Sequence, residues 1–211
     1  DVAYRDLVSQ SGIYGLPLYV DTLALFYNKD MFNTAGIVRP PKNWEEFNED
    51  VELLTKFDDE GNIIRAGAIM GTARNINRST DILSVLMIQN GTRMTNKDNT
   101  SVTISRQVDS NRVGENALQY YTDFANPNKA VYTWNDDQNY SIDAFVEGKA
   151  AMMFNYAHQV NVLTAKLARL NFGLAPMPQF SELDAKNYAN YWAVGVSNAS
   201  KNQDAAWRFL S

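Results

Sequence analysis

An α/β fold is predicted for this chain by three observations. Short apolar runs, such as residues 23–27, 66–70 and 150–154, are too brief for helices and rich in Leu, Ile, Phe and Met. Between them lie segments whose apolar residues recur at helical period and carry recognisable start and stop residues. Strand and helix signals alternate along the chain, so the sheet is expected to be largely parallel, with helices packed on it.

The elements follow in order. After a partial opening element, residues 13–19 read as a strand, and a second apolar run covers 23–27 after an interruption at Asp21-Thr22. Pro17 confines this region to a sheet edge or a strand end, because it cannot donate to a ladder. After Asn28-Lys29-Asp30 a short helix reaches Ala35 and stops at Gly36. The clearest helix follows Pro40-Pro41-Lys42-Asn43: Asn43 is its cap, Glu46 stands at the capping-box spacing, and Trp44, Phe47, Val51 and Leu54 share one face. Residues 58–62 are a turn into a strand at 66–70. A helix from Thr80 or Asp81 to Gln89 closes at Asn90-Gly91, and 93–95 with 102–104 read as a short hairpin. A helix over 115–125 buries Leu118, Tyr121 and Phe124, and another spans 141–147 before Gly148. A buried strand at 150–154, a helix at 157–170, strands at 172–175 and 191–196, and an amphipathic helix at 204–210 complete the pattern.

Composition narrows the function. With 45% hydrophobic and 20% charged residues, the 211-residue chain has an ordinary globular make-up. Its formal net charge of -5 argues against nucleic acid or an anionic membrane as the main partner. The absence of cysteine removes thiol catalysis and thiolate metal sites. No apolar run approaches the roughly 20 residues of a membrane span, and no leader is read at Asp1, which opens directly into a mixed segment; in a processed or trimmed chain that says little. Residues 58–62 lack the terminal Glu of a calcium loop, residues 67–72 lack the Lys of a phosphate loop, and there is no Gly-x-Ser-x-Gly elbow. The 11 Tyr, 10 Phe and 4 Trp suit a binder of something with both apolar faces and hydroxyls.

Three segments carry a resemblance. The first runs from Gly12-Ile13-Tyr14-Gly15-Leu16-Pro17 through Leu25-Phe26-Tyr27-Asn28-Lys29-Asp30 and Ala35-Gly36-Ile37 to Pro40-Pro41-Lys42-Asn43-Trp44-Glu45-Glu46-Phe47. The second is Ala144-Phe145-Val146-Glu147-Gly148-Lys149 leading into Ala150-Ala151-Met152-Met153-Phe154-Asn155. The third is Trp192-Ala193-Val194-Gly195-Val196-Ser197, continued by Ala205-Ala206-Trp207-Arg208-Phe209-Leu210. Together they resemble the family 1 extracellular solute-binding proteins, the group that contains maltose-binding protein. The resemblance implies a type II periplasmic-binding-protein-like fold, two α/β lobes holding a ligand in a cleft and closing as a hinge. It further implies that family members extend beyond this chain at both ends. Residues 1–22 would be a remnant of the first lobe with its crossover, 23–177 the second lobe, 178–192 a returning crossover, and 193–211 a further remnant of the first lobe.

A sugar site needs Asp, Asn, Gln or Arg for the hydroxyl rim and an aromatic face for the C–H patch. The resemblance assigns candidate ligand contacts on that basis. Tyr19 and Asp21 lie at the first crossover, where Asp21 is either a carboxylate for ligand hydroxyls or the cap of a turn. Asn75, Asn77 and Arg78 follow the strand ending near Met70, in a loop that approaches the ligand in relatives or is simply solvated. Asn155 and Tyr156 follow the buried strand at 150–154, and Tyr156 is the nearest aromatic to the Trp that relatives often place there. Tyr191 and Trp192 sit where the chain crosses back, Trp192 facing ligand or packed in the core. Trp134 and Asn135 are a weaker pair, and His158, the sole histidine, is a capping or surface residue rather than a metal ligand. No catalytic residue, cofactor or metal is implied.

The resulting expectation is a monomeric, extracytoplasmic receptor, in the periplasm or at the cell surface, with lipid anchoring of the full-length protein one option, that delivers a sugar or oligosaccharide to an ABC permease. Three alternatives stay open: a receptor for a phosphorylated or other polar solute, for which Arg74 and Arg78 are available, a carbohydrate-active enzyme using carboxylates such as Asp21 and Asp137, and a signalling or adhesion module that uses the same lobe without transport.

Overall fold

In the computed structural model, residues 2–9, 12–108, 111–166 and 170–211 are described. They divide into two compact units, one made of residues 1–22 with 189–211 and the other of residues 23–188.

The smaller unit opens with helix α1 (Val2–Leu7) and a two-residue pairing of β1 (Val8–Ser9) with β2 (Gly12–Ile13). Strand β3 (Leu16–Asn28) follows, and its residues 16–22 pair antiparallel with β8 (Ala189–Val194), the register shifting between Pro17 and Tyr19. That shift sits where the missing proline N–H cannot enter the ladder. Helix α8 (Gln203–Leu210) completes the unit. It buries few side chains: Leu18, Val20, Tyr14 and Trp192 are all exposed.

The larger unit holds the core. Its remaining elements are α2 (Lys29–Ala35), α3 (Trp44–Leu54), β4 (Lys56–Phe57), β5 (Ile63–Ile69), α4 (Ser79–Gln89), α5 (Val113–Asp123), α6 (Ser141–Val146), β6 (Ala150–Tyr156), α7 (Gln159–Lys166) and β7 (Phe172–Pro176), followed by a 3-10 turn at Glu182–Asp184. The strand order is β4-β5-β6-β3-β7. Only β5 and β6 run parallel; β3 is antiparallel to both β6 and β7, and β4 is antiparallel to β5. The expectation of a largely parallel sheet is therefore corrected. The β5–β6 connection is a helical crossover, which returns the chain in the same sense. β3 instead arrives from the other unit and enters the sheet in the opposite direction.

Local signals explain most elements. Asn28 caps α2 by accepting from the N–H groups of Asp30 and Met31, and Gly36 closes it at φ +77°, a left-handed conformation that costs a glycine nothing. Asn43 Oδ1 accepts from Glu46 N–H at 2.8 Å, while the Glu46 carboxylate reaches back to Lys42 N–H at 2.9 Å, one residue earlier than in a standard capping box. Trp44, Phe47, Val51 and Leu54 are buried as their spacing requires, and the Trp44, Phe47, Phe124 and Phe154 rings pack at 5.2–5.7 Å centroid separations. Inside the β5–α3 contact, Thr133 Oγ1 accepts from Gly67 N–H at 2.7 Å and from the Thr55 hydroxyl at 2.8 Å, so this buried polar knot is satisfied internally.

Other expectations change. Asp21-Thr22 does not interrupt the strand, since β3 runs unbroken for 13 residues. The opening element is a helix. On α5, Ala117 is buried and Leu118 is exposed. The expected hairpin at 93–104 contains a single bridge, Thr95 to Val102, rather than paired strands. The helix expected at 157–170 is described to Lys166, and residues 167–169 lie outside the described ones.

Candidate functional site

In the smaller unit the ladder register places candidate groups on defined faces. Tyr19 is opposite Trp192, Val20 opposite Tyr191, and Asp21 opposite Asn190. Side chains alternate along a strand, so Tyr19, Asp21, Asn190 and Trp192 share one face while Val20 and Tyr191 share the other. Trp192 is 64% exposed and Tyr19 48%, whereas Asp21 is partly buried and accepts from Thr22 N–H at 2.8 Å. The first face thus combines two aromatics with a carboxylate and an amide. Tyr191 lies apart from it: its hydroxyl donates to the Asp6 carboxylate, which pushes the Tyr191 pKa up to about 12. Asn190 was not among the sequence candidates. Its period-two spacing from Trp192 is the signal that could have found it.

In the larger unit, β6 ends at Asn155-Tyr156 and meets the start of α4. Arg78 occupies the cap position of α4 at φ +67°, with no side-chain cap bond, and its guanidinium carbon lies 5.1 Å from the centre of the Tyr156 ring. This is cation–π geometry. The Tyr156 hydroxyl donates to Asp81 Oδ2 at 2.9 Å, and the His158 ring stacks against Tyr156 at 6.1 Å. Burial, then the neighbouring Asp81 carboxylate, hold the Tyr156 hydroxyl above its ordinary pKa. Tyr156 is fully buried, so in this arrangement Arg78, which is exposed, is what the corner offers to solvent. Asp81 is a second group the sequence reading missed, although its position in the first turn of α4, three residues after Arg78, marks it.

Asn75 and Asn77 behave differently from each other. Asn75 donates to Asn135 O at 2.9 Å and Gln138 O at 3.1 Å, and its Oδ1 accepts from Trp134 Nε1 at 3.1 Å and from the Thr72 hydroxyl. Both amide protons and both lone pairs are engaged. Asn75 therefore fixes the loop, and Trp134, fully buried, belongs to the core. Asn77 donates from Nδ2 to the Tyr140 hydroxyl at 2.7 Å, but its Oδ1 is buried with no hydrogen-bond partner among the described residues. Asn155 is the complement: its Oδ1 accepts from Tyr156 N–H at 2.8 Å and its buried Nδ2 has no partner among the described residues. One orphan acceptor and one orphan donor thus adjoin, in sequence, the two residues of the Arg78–Tyr156 contact. Such groups are rare in native structures, and a hydroxyl can serve either kind.

Among the described residues no group of three His, Cys, Asp or Glu side chains could hold a metal, and no helix is long and apolar enough to cross a membrane.

The family model described as bacterial extracellular solute-binding protein matches residues 1–211. A Brucella abortus (strain 2308) protein described as a binding protein, with no ligand named, is 27% identical over 199 residues, covering 93% of this chain and 45% of its own. The maltotriose-binding protein of Pyrococcus abyssi (strain GE5 / Orsay) is 27% identical over 211 residues, covering 98% of this chain and 41% of its own. The solved structure of CpMnBP1 with mannotriose bound superposes with a TM-score of 0.71 at 27% identity, covering 99% of this chain and 53% of that one. The chain spans about half the length of the relatives it matches.

Proposed function

The chain belongs to the family of bacterial extracellular solute-binding proteins, and from that premise we propose that it forms part of a receptor that captures a saccharide outside the cytoplasm and delivers it to an ABC permease. The observation that carries the saccharide is the face of the smaller unit on which exposed Tyr19 and Trp192 stand in register with Asp21 and Asn190. A sugar ring offers a C–H patch to an aromatic face and hydroxyls to a carboxylate or amide beside it. The unpartnered Asn77 Oδ1 and Asn155 Nδ2 in the larger unit support the same ligand class, because sugar hydroxyls both donate and accept. The likeness to proteins named for maltotriose and mannotriose binding supports an oligosaccharide.

The proposed role is binding without turnover, by a protein that works as a monomer. Lipid anchoring is one way such a receptor stays near its permease. Thermal unfolding of the full chain against mono- and oligosaccharides, sugar phosphates and polyols tests the reading. A ligand at about a hundredfold excess over its Kd adds about 2.7 kcal/mol of stability, or a rise of about 5–11 °C for a chain of this size. The rise is expected with one saccharide class and is expected to vanish in Trp192→Ala. A rise with a phosphorylated solute alone would keep the receptor and overturn the saccharide.

A further inference from the structure

We propose that the segment joining α4 to α5 carries a second binding site, separate in its residues from the saccharide groups, that takes a phosphoryl oxyanion. A groove of about 680 Å³ opens there, lined by Arg93, Lys97 and Arg106 together with Thr95, Asn96 and Thr103. Among the described residues that line it there is no carboxylate. Among the described residues, none of the three cations takes part in an ion pair. This runs against the balance of the chain, in which 24 acidic residues outnumber 19 basic ones.

The cations are held in place by their backbones. Thr103 is buried, donates from its hydroxyl to Arg93 O at 2.6 Å, and accepts at its own carbonyl from Arg106 N–H at 3.0 Å, so one residue ties the two arginines together. Asn96 Oδ1 accepts from Thr100 N–H at 2.8 Å and Ser101 N–H at 3.2 Å, closing the turn that carries Lys97. Thr92, between Gly91 and Arg93, is only 7% exposed, and its hydroxyl has no hydrogen-bond partner among the described residues. A buried hydroxyl without a partner among the described residues, next in sequence to Arg93 of the groove, calls for an explanation, and a polar ligand supplies one.

The chemistry selects the ligand. An Arg fork matches two oxygens of one phosphoryl group, and a Lys adds a point charge. A neutral sugar could bond to such donors but would leave the positive charge of three cations uncompensated, which an oxyanion does not. The groove has the volume of small-molecule sites, about 300–1,000 Å³, and its concavity favours a free phosphorylated solute over a flat bilayer.

The test follows amide resonances of the full chain on titration with inorganic phosphate, against sodium chloride at matched ionic strength. A parallel arm measures co-sedimentation with phosphatidylglycerol and phosphatidylcholine vesicles. Saturable shifts around Arg93, Thr103 and Arg106 are expected with phosphate and not with chloride. They should weaken at least tenfold in Arg93→Gln/Arg106→Gln and persist in Trp192→Ala, which separates this site from the saccharide face. If the double variant does not fold, Lys97→Gln, on an exposed side chain, decides: a few-fold loss supports the site and unchanged affinity overturns it. Binding to phosphatidylglycerol vesicles without a phosphate response keeps the phosphoryl chemistry and assigns it to a lipid headgroup. Shifts that chloride reproduces, or that survive the double substitution, overturn the proposal.

Discussion

Replacing Asn75 by alanine separates two roles that sequence alone leaves entangled. Its side chain makes four hydrogen bonds, to Asn135 O, Gln138 O, Trp134 Nε1 and the Thr72 hydroxyl. A net hydrogen bond is worth about 1 kcal/mol, and a buried donor left unpaired costs about 1–3 kcal/mol. Trp134 Nε1 is such a donor, because the residue is fully buried. The two carbonyls can turn toward water, so their share of the loss is the smaller one. The sum is about 3–5 kcal/mol, which corresponds to a fall in Tm of about 6–20 °C. Differential scanning calorimetry and saccharide titration on the same sample give both readings. The structure predicts a large fall in Tm for Asn75→Ala, with any loss of affinity accompanying the loosened 72–78 loop. A Tm within about 2 °C of wild type together with abolished binding would refute this, because Asn75 would then be spending its bonds on the solute. Asn75→Asp sharpens the test: it keeps an acceptor for Trp134 but turns an oxygen toward the carbonyls of Asn135 and Gln138, so it should also destabilise.

Other outcomes follow from the same structure. Gly67→Ala puts a Cβ 2.4 Å from Val51 O and 2.7 Å from Thr55 Oγ1; helix α3 must move, and chemical denaturation should show a loss of about 3 kcal/mol or an insoluble chain. Burial, then the nearby Glu46 and Glu49 carboxylates, push the Asp50 pKa up to about 6. Its folded pKa lies above its unfolded value, so the folded state binds the extra proton and stability falls as pH rises through 4 to 6; Asp50→Asn should gain about 1 kcal/mol at pH 7, after allowance for solvent screening, and nothing below pH 4. Glu46 shifts the opposite way, to about 2, first through the hydrogen bond from Arg39. Its contribution is present above about pH 4.5 and lost as pH falls toward 2, so Glu46→Gln should destabilise at pH 7 and match wild type near pH 2. Both pH profiles are read by urea unfolding.

What the sequence reveals and hides has a physical pattern. Asn28, Gly36, Asn43 and the Trp44–Phe47–Val51–Leu54 face were legible because caps and helical period are local rules. The direction of β3 was not, because strand sense depends on which distant segment pairs with it, and Val20 and Leu25 look alike until β8 and β6 arrive. The candidate site divides in the same way. The sequence shows Tyr19 and Trp192 as separate crossover aromatics, but that they stand opposite each other, with Asp21 and Asn190 alongside and Tyr191 on the other face, is a statement of register. Tyr156 has the composition of a stacking platform, yet its hydroxyl is tied to Asp81 and Arg78 covers its ring. Asn75 and Asn77 are two residues apart and chemically identical. Only their partners distinguish a saturated strut from a residue with a lone pair to offer.

Isothermal titration of the full chain with maltotriose and mannotriose, repeated on Trp192→Ala, addresses the receptor reading most directly. Saturable heat with one stoichiometric site is expected for a neutral oligosaccharide, with no product release on prolonged incubation and a loss of about 2 kcal/mol, or about 30-fold in Kd, in the variant. No heat from any neutral saccharide with a folded chain, or unchanged affinity in Trp192→Ala, would contradict it.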